Sequence, residues 1–370
     1  GGAGGAVVGT LGDVYANPLM VEALILSREG TITVPEAVPT YYGPALPAID
    51  TDLKQLERWE SWVRAFIATG DMLQGITFET VPPQPPPPQP PVVATGFRVL
   101  SSGSLIAEIG RPQAATFTAQ IPMVLSWAEL REERTAEILA QIDPQYAFWS
   151  SIVFLRSDRN RWTFELINLV LQLCVYVEMR FKHAFGCWRP VEYNAQVQPM
   201  ITTPGHGSFP MGHATQAYAV AYVLKSLLSL FPDPQANPPT LGFSTVIDQL
   251  DRQTARITTN RVISGVHFPV DSMAGRMLGT ALGEYFVARC TGGQTFAGRT
   301  FLAAGIDNAP TTDFNPFIPP QLGLNDGTFY SVGQPQNIPQ SSLMPYFWYK
   351  ARAEWSGKFG VPYPYPNPYP

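Results

Sequence analysis

The chain has 370 residues, of which 14% are charged and 45% are hydrophobic. It can bury the core of one large domain or two ordinary ones, and its charge is well below the roughly 25% of an average soluble protein. The formal net charge of -5, without any run of lysine or arginine, argues against a nucleic-acid-binding surface and against a basic membrane-binding patch.

The first 125 residues are predicted to form an accessory region with helices and proline-rich loops. Helices are expected near Pro18–Arg28 and Asp50–Gly70, where apolar residues recur every three or four positions. The proline run within Asp71–Val92 predicts a stiff polyproline spacer. Val93–Ile109 alternates around a Ser-Ser-Gly turn and predicts either one small hairpin or an irregular loop.

Residues 126–292 are predicted to form the catalytic bundle of an all-α fold. Its helices are expected at Ser126–Ile142, Gln145–Ser157, Trp162–Phe185, Gly212–Phe231, Ser244–Arg261 and His267–Cys290. The longest apolar runs fall short of the ~20 clean residues of a spanning helix, so no membrane segment is predicted. Residues 293–370 are rich in proline and tyrosine, and they predict a loop-like tail on the bundle or on a partner subunit.

The three cysteines, Cys174, Cys187 and Cys290, are expected to be reduced and partly buried, with one disulfide left open. The chain begins with Gly-Gly-Ala-Gly-Gly rather than Met, which is compatible with a processed or trimmed N-terminus. No signal peptide is visible, so the protein is expected to be soluble and its compartment stays unknown.

Lys182 and Arg189 stand seven residues apart, which returns to nearly the same face of a continuous α-helix. Two cations on one face repel each other unless an anion lies between them. Taken alone, a solvated basic face is the simpler explanation of this pair.

The segment Pro210-Met211-Gly212-His213 leads directly into an apolar helix. A helix start offers free N–H groups and the positive end of the helix dipole, which together bind anions. Gly212 allows a close backbone approach, and His213 in the first turn can exchange a proton with a bound anion. The alternative is a capping turn with a chance histidine.

Arg261 is expected at the end of one helix and His267 at the start of the next, with Gly265 as the hinge. His267 and Asp271 are four residues apart, so on a helix the carboxylate can reach one imidazole nitrogen. Such a contact fixes the tautomer and leaves the other nitrogen as a ligand or a nucleophile. A surface His–Asp pair is the alternative.

In this order the motifs Lys-x6-Arg-Pro, Gly-His and Arg-x5-His-x3-Asp resemble the signature of the acid phosphatase and vanadium-dependent haloperoxidase superfamily. The resemblance implies a bound vanadate, with phosphate able to occupy the same site. It assigns the oxygens of that anion to Lys182, Arg189, Arg261 and the N–H of Gly212. By the same resemblance His213 is the acid–base, and His267 is the axial metal ligand, oriented by Asp271.

Two positions separate this chain from parts of that superfamily. His206 lies where algal bromoperoxidases resemble this chain in having histidine, and where fungal chloroperoxidases have phenylalanine. Met211 stands where the superfamily usually has serine, and a thioether donates no hydrogen bond. One hydrogen bond to the anion is therefore missing, or it comes from another residue such as Ser208.

The resemblance favours a bacterial-type vanadate-dependent haloperoxidase. Lys182 would polarise hydrogen peroxide bound at the vanadate, and bromide or chloride would be oxidised to hypohalous acid, which halogenates a small organic acceptor. The long N-terminal region, His206 and the tail support this by analogy. The alternatives are a soluble acid phosphatase with a phosphohistidine at His267 and a non-catalytic phosphate-binding protein. A membrane lipid phosphatase is disfavoured, and a homo-oligomer is expected.

Overall fold

The computed structural model describes residues 18–31, 46–50, 52–83, 94–142, 145–232, 242–292 and 295–369. The chain divides into two compact units, residues 4–64 and the larger unit that runs from residue 65 onward. Most of the proline run, residues 84–93, and the glycine-rich start lie outside the described residues. The polyproline spacer therefore stays a prediction, as do the domain boundaries at residues 125 and 292.

Helices and strands are numbered here in chain order. The helices are α1 (Pro18–Thr31), α2 (Ser61–Leu73), α3 (Ala114–Trp127), α4 (Arg131–Ala140), α5 (Tyr146–Val153), α6 (Arg161–Phe185), α7 (Pro190–Tyr193), α8 (Gly212–Leu227), α9 (Ser244–Ile263), α10 (Pro269–Thr291), α11 (Ala303–Asn308) and α12 (Met344–Ala353). The strands are β1 (Ile76–Val81), β2 (Gly96–Ser101), β3 (Ser104–Gly110), β4 (Thr295–Phe301) and β5 (Tyr330–Asn337).

The predicted bundle helices are present, with ends that differ by a few residues. The helix expected at Ser126–Ile142 is instead two helices, because α3 ends at Trp127 and α4 begins at Arg131. The helix expected at Asp50–Gly70 is likewise divided into a short 3-10 turn, Leu53–Arg58, and α2. In both cases the spacing of apolar residues had predicted one continuous helix.

The all-α prediction is wrong, because a five-stranded mixed sheet accompanies the helices. The expected hairpin is present as β2 and β3, but it lies inside a sheet of order β1-β2-β3-β4-β5. β3 and β4 pair in parallel, and the other neighbours pair antiparallel. The segment after residue 292, predicted to be loop-like, supplies β4, β5, α11 and α12.

The centre of the larger unit is the pair α8 and α10, which approach each other unusually closely. Three glycines of α10, Gly275, Gly279 and Gly283, lie one turn apart along the contact. A Cβ at Gly279 would stand 2.2 Å from the carbonyl oxygen of Thr215 on α8. The backbones can pack this closely only because these positions have no side chain, and both helix starts carry predicted site residues.

One stretch, Arg161–Tyr193, is long and apolar enough to cross a membrane by length and composition alone. The sequence expectation that no segment reaches this threshold is therefore wrong for the stretch that contains α6. In its apolar window 61% is buried inside the protein.

The three cysteines are all free in the structure. Cys174 and Cys290 are buried, and Cys187 is partly exposed.

Candidate active site

The first motif does not lie on one continuous helix. Helix α6 ends at Phe185, and Gly186 follows with a φ of 58°, a left-handed conformation that suits glycine. Arg189 then precedes α7 in an extended conformation. The prediction that Lys182 and Arg189 share a helix face is therefore wrong, although both side chains are only 2% exposed and lie in the same cluster.

The guanidinium of Arg189 uses all five of its N–H groups inside the protein. Its Nε donates to the carbonyl oxygen of His206, and Nη2 donates to the carbonyl oxygen of Gly207 and to Nδ1 of His206. Its Nη1 donates to the carbonyl oxygen of Val266 at 2.8 Å and to Nε2 of His267 at 2.9 Å. Arg189 thus joins the loops that carry His206 and His267.

His267 is held in one tautomer by Asp271. Its Nδ1 lies 2.8 Å from Oδ2 of Asp271, and because a carboxylate only accepts, Nδ1 carries the proton. The same Oδ2 accepts from the hydroxyl of Ser208 and from the backbone N–H of Phe268. The Nε2 of His267 therefore keeps its lone pair. Burial, helped by Arg189 and Lys182, holds the pKa of His267 well below its usual range, so the ring is neutral.

The second motif starts α8, as the sequence predicted. Met211 caps the helix without any side-chain hydrogen bond, and its N–H donates to the carbonyl oxygen of Asp271 at 3.0 Å. His213 lies in the first turn and is oriented by its Nε2, which is 2.8 Å from the carbonyl oxygen of Gln141. Burial and the charge of Arg261 lower the pKa of His213 to about 3. The neutral ring then presents Nδ1 as a proton acceptor.

Arg261 lies in the last turn of α9 and is 1% exposed. Its Nη2 donates to the carbonyl oxygen of Ile138 at 2.8 Å. Its Nε and Nη1 have no hydrogen-bond partner among the residues that the structure describes. A buried guanidinium with two unpaired nitrogens is costly unless a ligand completes it, so Arg261 has two donors available for an anion.

The loop between α9 and α10 is fixed by Arg131 of α4. Its guanidinium donates to the carbonyl oxygens of Ile263, Val197 and Gln198 at 2.8–2.9 Å. Gly265 turns in this loop with a φ of 82°, as its predicted hinge role requires. Arg131 thus joins the end of α9 to the segment at residues 197 and 198.

Ser208 and Met211 have different surroundings from those expected. The hydroxyl of Ser208 donates to Asp271, so it supports the carboxylate that orients His267. Its carbonyl oxygen accepts from Nζ of Lys182 at 2.9 Å, and that of Gly207 accepts from the same Nζ at 3.1 Å. Met211 is fully buried. In this state neither residue has a donor free for an anion.

Sequence reasoning missed Glu178, which lies one turn before Lys182 on α6 and is 1% exposed. Its Oε1 accepts from Nε2 of Gln216 at 3.0 Å, whereas Oε2 has no partner within the described part of the chain. Burial raises the pKa of Glu178 to about 7, opposed by Lys182. The available signal was a carboxylate in an apolar stretch of α6, four residues before a motif lysine.

The predicted site residues therefore form one buried cluster at the starts of α8 and α10. It combines three cations, a helix N-terminus and an imidazole whose unprotonated Nε2 accepts a hydrogen bond from Arg189. Such a set of donors fits a compact tetrahedral oxyanion, either phosphate or vanadate.

The PAP2 superfamily model matches residues 163–292, the stretch that contains every one of these site residues. The chain is also similar to the vanadium-dependent bromoperoxidase of Ascophyllum nodosum, with 30% identity over 95 residues. That alignment covers 22% of this chain and 17% of the bromoperoxidase. The chain therefore matches only a small part of that relative's length.

Among solved structures, the chain is similar to a transmembrane PAP2 type phosphatidylglycerolphosphate phosphatase from Bacillus subtilis. The TM-score is 0.37 at 20% sequence identity, and the superposition covers 48% of this chain and 86% of the phosphatase.

Proposed function

We propose, because residues 163–292 match the PAP2 superfamily model, that the protein is an enzyme that bonds the central atom of a tetrahedral oxyanion to Nε2 of His267. One observation carries this proposal. The Nδ1–H of His267 donates to Oδ2 of Asp271, 2.8 Å away, which leaves an unprotonated Nε2 among buried cations. In the free protein Nη1 of Arg189 donates to this Nε2, and a bound oxyanion would take over that donor. A neutral imidazole so oriented is a nucleophile or a metal ligand.

The first candidate activity is hydrolysis of a phosphate monoester. Nε2 of His267 attacks phosphorus, the bond to the ester oxygen breaks, and the leaving alcohol takes a proton from His213. Water then cleaves the phosphohistidine and releases phosphate. Lys182, Arg189 and Arg261 stabilise the charge that develops on the phosphoryl oxygens. The bound anion itself raises the low pKa of His213, which allows that ring to carry the proton it delivers.

The second candidate is a vanadate-dependent haloperoxidase, and two observations favour it. The matched relative is a bromoperoxidase, and Nδ1 of His206 lies 3.1 Å from Nη2 of Arg189 at the edge of the cluster. His267 would be the metal ligand, and Lys182, Arg189 and Arg261 would hold the oxygens. Bound vanadate would supply Lewis-acid activation of hydrogen peroxide for the oxidation of bromide or chloride. A small organic acceptor would then take the halogen.

Two assays on one preparation distinguish the candidates. The protein is incubated with p-nitrophenyl phosphate, acid-labile phosphohistidine is sought by mass spectrometry at neutral pH, and the release of nitrophenol is followed. In parallel, bromide oxidation by hydrogen peroxide is measured with and without added orthovanadate. We expect His267→Ala to abolish either activity and His213→Ala to lower turnover by ~10²–10⁴-fold.

The matched control is His183→Ala, because His183 is an exposed histidine on α6 outside the cluster. Unchanged turnover in His267→Ala would show that Nε2 does not bond the oxyanion. Activity in only one of the two assays would decide between the candidates.

A further inference from the structure

The carboxyl group of Glu178 packs against the first residue of α8. A Cβ at Gly212 would stand 2.7 Å from Oε1 of Glu178, so the carboxyl group fills the space that a side chain would need there. Lys182 lies on the same helix one turn further on. Glu178 is therefore part of the wall of the oxyanion cluster, although none of the three motifs contains it.

A carboxylate at this place stabilises the cluster of buried cations before an anion binds, and it repels the anion afterwards. Without an anion, the buried charges are the cations Lys182, Arg189 and Arg261 against the carboxylates Glu178 and Asp271. The histidines are neutral, so the cluster carries one net positive charge. A doubly charged oxyanion would turn this into one net negative charge in a buried volume, which is unfavourable. Uptake of protons lowers this negative charge, and one of the two carboxylates can take up a proton in addition to His213.

The hydrogen bonds select which of the two carboxylates takes up that proton. Oδ2 of Asp271 accepts from Ser208, His267 and Phe268, and these donors stabilise its ionised form. Glu178 accepts only the amide of Gln216, and its Oε2 is buried without a partner in the described chain. Protonating Glu178 costs little and gives that oxygen an O–H.

We propose that Glu178 is a positioning residue that takes up one proton when the site binds a doubly charged oxyanion, which couples anion affinity to pH. This inference rests on the proposed oxyanion site. It adds that Glu178 makes the affinity of that site for the anion fall as the pH rises. The neutral carboxyl then packs against Gly212 without repelling the anion held at the same helix start.

The neighbours of Glu178 support this assignment. On its own helix Lys182 opposes the effect of burial on Glu178, while burial and the charge of Arg189 lower the pKa of Lys182 itself to about 7. The thiol of Cys174 is held neutral by burial and by the charge of Glu178. From α8 the neighbours are the neutral Gly212 and Gln216. Asp271 of α10 acts electrostatically on Lys182. The pKa of Glu178, about 7 in the free protein, makes its proton exchangeable near neutral pH.

The test uses tungstate, a tetrahedral dianion whose own charge is constant between pH 7 and 9. Its affinity is measured calorimetrically at pH 7, 8 and 9, in buffers of different ionisation enthalpy that report protons taken up. Above pH 7 the free carboxyl group is ionised, so each binding event must draw a proton from solution. The affinity of both proteins for tungstate is compared as the pH rises. For each pH unit we expect the affinity of the parent to fall by a factor about ten times larger than that of Glu178→Gln.

The parent should also take up one more proton per tungstate than Glu178→Gln. Glu165→Gln is the matched control, because Glu165 is a buried carboxylate on the same helix, paired with Arg161 at 3.2 Å. It should keep the pH slope of the parent. If Glu178→Gln does not fold, Gln216→Met removes the donor to Glu178, raises its pKa, and should move the onset of the affinity loss to higher pH.

Each result supports or overturns the inference. Equal pH slopes and equal proton uptake in the parent and in Glu178→Gln overturn it, and so does an unmoved onset in Gln216→Met. If the parent binds tungstate tightly and these results are obtained, Glu178 does not have the proposed role, but the proposed oxyanion site stands. A parent that binds no tungstate at pH 7 overturns the proposed oxyanion site as well.

Discussion

At the scale of single residues, Met211 packs an apolar side chain at a position where a serine would offer a hydrogen-bond donor. The side chain is fully buried at the start of α8, and the helix has no side-chain cap there. A serine in its place could donate to an oxyanion or cap the helix, but it would leave the volume of the thioether unfilled. Anion affinity and stability are therefore expected to respond in opposite directions.

We predict that Met211→Ser binds vanadate at least as tightly as the parent. A hydrogen bond to a charged group contributes about 1.5–3 kcal/mol, or roughly one to two decades of affinity. The variant should lose roughly 2 kcal/mol of unfolding free energy, because a buried methionine is truncated. The measurements are a vanadate titration in phosphate-free buffer and unfolding in urea.

Met211→Ala is the control, since it loses the same packing without gaining a donor. If the serine variant binds vanadate markedly more weakly than both, the thioether has a positive role in the site.

At the scale of elements, the contact between α8 and α10 sets the geometry of the site. Met211 and Asp271 are joined by a backbone hydrogen bond at the two helix starts, and the glycines of α10 allow that approach. A side chain in the contact would push the helices apart and would separate Gly212 from His267.

We predict that Gly279→Ala destabilises the protein by about 1–3 kcal/mol or more and weakens tungstate binding. The added Cβ would stand 2.2 Å from the carbonyl oxygen of Thr215, and backbone cannot yield as a flexible side chain does. Thermal unfolding and calorimetry measure both effects. Gly70→Ala on α2 is the control, because no atom lies within 4 Å of its added Cβ, and its stability should be unchanged or higher. Equal effects of the two substitutions would contradict the prediction.

The helices and their site residues could be predicted because their signals are local. Gly186 ends α6 and Pro269 begins α10, and both residues are visible in the sequence. The sheet could not be predicted in the same way, because β4 is defined by pairing with β3, far away in the chain. Glu178 was missed for a similar reason. Its significance depends on Gly212 and Gln216, which only the packing of α6 against α8 brings to it.

At the scale of the whole molecule, the C-terminal segment completes the helix that carries Glu178 and Lys182. The carboxylate of Glu354, just after α12, accepts the N–H of Trp162 at 2.7 Å and that of Thr163 at 3.0 Å. These are first-turn N–H groups of α6, which have no partner within their own helix. The hydroxyl of Thr163 donates to the same carboxylate at 2.7 Å.

We predict that Glu354→Ala lowers the free energy of unfolding by about 1–3 kcal/mol, because it leaves those donors without an acceptor. Urea unfolding followed by tryptophan fluorescence measures the loss. Glu129→Ala, at an exposed glutamate, should cause little change. If both variants have the same midpoint as the parent, Glu354 does not stabilise α6.

The parallel pairing of β3 with β4 also constrains how the protein is made. Ala107 pairs with Arg299, so the strand that β3 requires leaves the ribosome only after all the helices between them. Until then the nascent chain has only β1, β2 and β3 of the sheet, and the edge of β3 lacks its partner. An unpaired strand edge favours association with other chains. Such long-range pairing is slow to form, because a long loop must close before the contact is gained. The edge of β3 is therefore covered only after β4 has been synthesised and paired with it.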